Sequence, residues 1–160
     1  MKIEQRMEEL GIILTNTSPA KALYVPVKQL GNSLFVSGQA PFIDATPAYT
    51  GKVGGERTLE EAQEAARICI INTLAAVKEY IGDLDRIVNV VKLQAFVNCE
   101  IEFNQQHIVI NAASKLLHDI FGVLEGHIGK IIFGVIVIVA VTLGIRFRKQ
   151  LKRVLLQNAS

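Results

Sequence analysis

No Asp or Glu follows Glu125, although the chain continues to Ser160. Residues 126–160 hold six Lys and Arg, a net of +6, whereas residues 1–125 hold eleven against all fifteen acids, a net of −4. The overall charge of +2 conceals that break, which is the main organisational feature of the chain. Cysteine is scarce too. Cys69 and Cys99 are too few for a disulfide scaffold and show no CxxC spacing, so both read as small buried apolar groups in a reducing, cytoplasmic protein. Met1 to Leu10 is charged rather than apolar, which argues against a secretory leader. Heptads, low-complexity tracts and internal repeats are absent, which excludes coiled-coil and solenoid architectures. His107 and His118 lack the carboxylate spacing of a metal site, and no metal is expected.

What remains is a chain of 160 residues, half of them apolar and a fifth charged, enough for one domain and too apolar for disorder. Residues Ile3 to Leu10 are good helix formers, and Gly11 stands where such a helix would stop. Tyr24–Leu30 and Ser33–Ser37 read as two strands of a hairpin turned at Gly31-Asn32, since both turn residues tolerate positive φ. Pro26 removes a backbone donor, so the first strand is an edge or begins irregularly there. Gln39 to Gly55, rich in Gly and Pro, reads as a long loop with a short strand near Thr50–Val53.

Thr58-Leu-Glu-Glu61 is a capping box opening a helix whose stripe is Ala66, Ile70, Leu74, Val77 and Ile81, stopped at Gly82. Residues 87–97 form a β-branched, apolar central strand. A second long helix spans Phe103 to Phe121, with Val109, Ala113, Leu116 and Ile120 on its apolar stripe. The order hairpin, helix, strand, helix is an α+β layout, a mixed sheet with helices packed on one face. The other face needs cover, which in so small a chain points to a homo-oligomer.

Asn32-Ser-Leu-Phe-Val-Ser-Gly-Gln-Ala-Pro41 resembles the strand-and-loop signature of the RidA family, also called YjgF or endoribonuclease L-PSP. Tyr24 stands thirteen residues before Ser37, as a family tyrosine does. IEQRMEELGI near the start, YTGKVG at 49–54, GDLDRIVNVVKLQAFVN at 82–98 and VINAASKLLHDIFG at 109–122 are similar to its chorismate-mutase-like branch. The resemblance covers residues 3–122 within a single domain of 1–160 and implies a homotrimer with a barrel-like core, helices outside and three intersubunit clefts. It also implies binding of small 2-imino or 2-oxo carboxylates, and their hydrolysis to 2-oxo acids and ammonia, without metal or organic cofactor. Other family members are described as ribonucleases or silent binders. By the same resemblance Tyr24, Ser37, Gly38 and Asn98 line the cleft, Tyr24 as wall and hydroxyl donor and Gly38 by its backbone.

A 2-imino acid needs a group to hold its carboxylate and a polarised water beside its electrophilic carbon. The family supplies an arginine in a Gly-His-Ala-Arg-Ser stretch and a glutamate on its last strand. This chain has Gly126-His127-Ile128-Gly129-Lys130, so the arginine position holds Gly129, or Lys130 after one insertion. Lysine offers a point charge instead of a planar fork. The terminal stretch Ile145-Arg-Phe-Arg-Lys-Gln150 carries no acid. Glu125, His127 and Cys99 are the remaining candidates for a substitute, supplied across the cleft.

Ile131 to Ile145 is fifteen residues without charge, short of the roughly 17–25 that a membrane-spanning helix needs. Nine of them are Val or Ile, which favours a core strand over Ile131–Val141. A membrane anchor over 131–145 and an altered gene end stay open as other readings. The basic cluster Arg146 to Arg153 has one aromatic and no nucleic-acid module, so it reads as a solvated end and not an RNA site.

Overall fold

A computed structural model describes residues 3–14, 24–122 and 134–141. The chain forms α1 (Ile3–Glu9), the hairpin β1 (Val27–Leu30) and β2 (Ser33–Gln39), a small hairpin β3 (Phe42–Ile43) and β4 (Thr46–Pro47), α2 (Leu59–Ile81), a 3-10 turn (Leu84–Arg86), β5 (Asn89–Val97), α3 (Gln106–Phe121) and β6 (Gly134–Val141). This is the expected α+β layout.

Local chemistry sets the helix limits. The Thr58 hydroxyl accepts from the Glu61 amide and the Glu61 carboxylate accepts from the Thr58 amide, closing the capping box at 3.2 and 2.9 Å. Gly82, at φ 81°, takes the left-handed conformation that ends α2. Ala66, Ile70, Leu74 and Val77 of the foreseen stripe are buried, and Ile81 is half-buried at the helix end. Ala62, Ala65, Cys69, Thr73, Ala75 and Ala76 are buried as well. Small residues on the second face let α2 pack closely against α3 as well as against the sheet, with buried surface on two sides. All four foreseen stripe residues of α3 are buried.

The main sheet runs β1-β2-β6-β5. The first pair is antiparallel, while β6 pairs parallel with both β2 and β5. The strand reading of Ile131–Val141 therefore holds over Gly134–Val141, and that strand occupies the interior of the sheet. Among the described residues no helix is long and apolar enough to cross a membrane. Leu34 and Val36 are buried on the helix side, with Val27 beside them on β1. Their neighbours Phe35 on β2 and Phe96 on β5 remain 42 % and 59 % exposed on the opposite face.

β5, read from the sequence as a central strand, lies at an edge of the described sheet because β6 takes the interior place, and other details differ as well. The first strand begins at Val27, one irregular step in from Pro26, whose carbonyl accepts from the Ser37 amide but which has no amide to return. At the Gly31-Asn32 turn Gly31 takes positive φ (57°) and Asn32 does not, the pattern of a type II′ turn. The loop over 39–55 contains the β3–β4 hairpin, turned at Asp44 (φ 48°) and Ala45 (φ 64°), while Val53 makes only isolated bridges to Arg57 and Cys99. Asp44 is an ordinary turn residue, but Ala45 at positive φ stands where such a turn usually has glycine, which hides the hairpin in the sequence.

Candidate functional site

Tyr24, Ser37, Gly38 and Asn98 lie at one end of the main sheet. Tyr24 precedes β1, which is antiparallel to β2, and the Ser37 hydroxyl donates to the carbonyl of Val25 at 2.7 Å. The Ser37 amide donates to the Pro26 carbonyl at 2.8 Å, so the segment after Tyr24 is fastened to the end of β2. On β2 the pairing to β6 shifts between Val36 and Gln39, an irregularity that takes Ser37 and Gly38 out of the regular ladder. Gly38 is exposed there, and Tyr24 is 49 % exposed. Gln39 and Ala95 both pair with Val139, which places the ends of β2 and β5 two strand spacings apart, about 10 Å. Asn98 follows β5 at that same end.

Of these four, Asn98 is committed to the scaffold. Its side-chain amide donates to the Gly51 carbonyl at 3.1 Å, and its own carbonyl accepts from the Val53 amide at 3.0 Å. Glu100 returns an amide to the Val53 carbonyl at 2.9 Å, and Lys52 pairs with Glu100 at 3.1 Å. From the other side Arg57 donates to the Thr50 carbonyl at 2.7 Å while its second arm pairs with Glu61 at 3.0 Å. The 50–53 segment is thus held between the end of β5 and the start of α2. Asn72 of α2 does the same for the segment after β2, donating to the carbonyls of Ala40 and Phe42 at 2.9 and 3.0 Å.

Titration behaviour points to structural groups. The Thr58 amide and the Arg57 guanidinium hold the Glu61 carboxyl below its ordinary value, and Lys115 does so for Asp119. Burial pushes the Cys69 thiol far up, which makes it an inert core group. Cys99 is half-buried, and its sulfur accepts from the Gln106 amide at 3.3 Å. No group of His, Cys, Asp and Glu among the described residues could hold a metal ion. Lys130, Glu125 and His127 lie outside the described residues.

The sequence reading passed over two cations, Lys28 on β1 and Lys92 on β5. Both are exposed, and among the described residues they have neither hydrogen bond nor ion pair. Every other described lysine and arginine has one. Strand alternation alone would have put Lys28 opposite in sense to the buried Val27, but it could not relate two lysines 64 positions apart in the chain.

With this geometry in view, the comparisons with known proteins define the class. The family model described as YjgF/chorismate_mutase-like, putative endoribonuclease, matches residues 4–147. The chain belongs to that family, and the match runs past the legible motifs through β6. Protein TCP17 of Trypanosoma cruzi is 36 % identical over 134 residues, 84 % of each chain. The crystal structure of a protein of unknown function from Agrobacterium tumefaciens, Atu1372, is 36 % identical, with a TM-score of 0.67 over 89 % of this chain and 81 % of that one. A protein described as a putative endoribonuclease from Shewanella oneidensis shares the fold, with a TM-score of 0.75, 24 % identity and 89 % coverage of both chains.

Proposed function

We propose that this protein is a homotrimer that binds small 2-oxo or 2-imino carboxylates in the seams between copies. Three copies close a ring in which the β1 edge of one sheet adjoins the β5 edge of the next, with helices outside and the apolar faces inward. The observation that carries this reading is the convergence of Tyr24, the Ser37–Gly38 irregularity and the Asn98-held loop at one sheet end, beside a face that leaves Phe35 and Phe96 open. Family membership supports it.

The proposed role is binding first. Hydrolysis needs a group to polarise water, and the main sheet carries no Asp or Glu on any of its four strands. In this reading Ser37 and Asn98 shape the cleft through the backbone they hold, and Tyr24 forms its wall. Lys130 is the candidate for the cation that meets the carboxylate. The test is ammonia release from 2-aminoacrylate generated in situ, alongside titration with 2-oxobutyrate. Binding of 2-oxobutyrate with ammonia at the spontaneous rate is the expected result. Release above that rate, abolished by Lys130→Ala, would add turnover to the binding role. Absence of 2-oxobutyrate binding would overturn the reading. The family description supports a second reading, RNA cleavage, which loss of intact labelled RNA on incubation with the protein would reveal.

A further inference from the structure

The two cations that have no side-chain partner among the described residues occupy one row across the sheet. Lys28 pairs with Phe35, Phe35 with Ile136, and Ile136 with Lys92. They stand at the same height on opposite edge strands, β1 and β5, about 14 Å apart at three strand spacings. A rotation that carries the β1 edge of one copy against the β5 edge of the next keeps that height when its axis runs along the strands. Lys28 of one copy and Lys92 of its neighbour then flank the same seam, next to Phe35.

No acid lies on the strands of this sheet to neutralise them. Two ammonium groups brought into one seam beside Phe35 repel each other, and a bound anion removes that cost. Resting on the ring and carboxylate reading above, we propose that each seam selects a small dianion, a 2-oxo dicarboxylate. The second carboxylate, the one that 2-oxobutyrate lacks, lies in the seam between Lys28 of one copy and Lys92 of its neighbour, about one strand spacing apart. The site is incomplete in a single copy.

Calorimetric titration of the full chain with 2-oxoglutarate and 2-oxobutyrate, with sedimentation and thermal melting run alongside, tests this. The wild type should bind 2-oxoglutarate about tenfold more tightly than 2-oxobutyrate, the lower range for one added hydrogen bond between charged groups. Lys28→Gln and Lys92→Gln should each remove that preference while sedimentation and melting stay unchanged. Because the lysines come from different copies, unfolding and reassembling the two variants together should restore intact seams. In a random equal mixture about one quarter regain both lysines. That recovery distinguishes a shared site from a structural effect of either substitution. Raising the salt concentration should weaken 2-oxoglutarate more than 2-oxobutyrate in the wild type. Variants that keep the preference, or a mixture that restores no seams, would overturn the shared site and leave the carboxylate reading standing. A wild type that binds neither acid would sink both.

Discussion

The open face of the sheet makes the most direct claim about how this molecule exists in solution. A phenylalanine encloses roughly 200 Å² when fully buried. The exposed fractions of Phe35 and Phe96, 42 % and 59 %, therefore leave about 200 Å² of ring surface for a neighbouring copy to cover, using that size per residue. At about 25 cal/mol per Å² this is worth up to about 5 kcal/mol per copy, more than three decades in an association constant. Replacing both rings, as Phe35→Ser with Phe96→Ser, should leave the fold intact, because Leu34, Val36 and the helices carry the core on the other face. Sedimentation velocity across a hundredfold range of concentration should show a trimer for the wild type and a monomer for the double variant, with the same far-ultraviolet circular dichroism. A wild type that sediments as a monomer throughout, or a double variant that stays trimeric, would refute the argument that this face is closed by copies of the chain.

Two further outcomes concern the frame around the site. Thr58→Ala removes the acceptor for the Glu61 amide and should cost about 1 kcal/mol in denaturant unfolding. Glu61 has its folded pKa depressed, so its stabilising contribution is full above its ordinary value of 4.5 and is lost as the pH falls through the folded value. Glu61→Gln should therefore be less stable than the wild type near neutrality, with the gap closing in acid; a constant gap would rule out the linkage. Asn72→Ala deprives two carbonyls of their donor and should cost about 1 kcal/mol. Amide exchange should quicken over residues 40–48 and stay unchanged in α2; unaltered exchange at Ala48, whose amide donates to the Pro41 carbonyl, would show that Asn72 does not hold the hairpin.

Helices were readable in advance because their signals are local. The capping box spans four residues, the apolar stripes repeat every three or four, and Gly82 and Gly122 end the two long helices at positive φ. The β3–β4 hairpin was not readable, since Ala45 takes positive φ at the turn position where glycine is the usual signal. The candidate cleft divides in the same way. Tyr24, Ser37 and Gly38 fall in one short stretch around the first hairpin, and the resemblance picks them out. Asn98 was also picked out, but its commitment to Gly51 is a contact across 47 positions that no local pattern encodes. Lys28 and Lys92 became related only once the strand order and register were known.

The placement of β6 has a consequence for biosynthesis. The hairpin β1–β2 and strand β5 share no ladder with each other, and each is joined to the sheet through a strand that follows them both in the chain. On the ribosome those two flanks emerge first, with two adhesive edges open to any extended segment nearby. A message cut short before the codon for Gly134 would release a product with that gap unfilled, a natural substrate for chaperones or for clumping with its own kind.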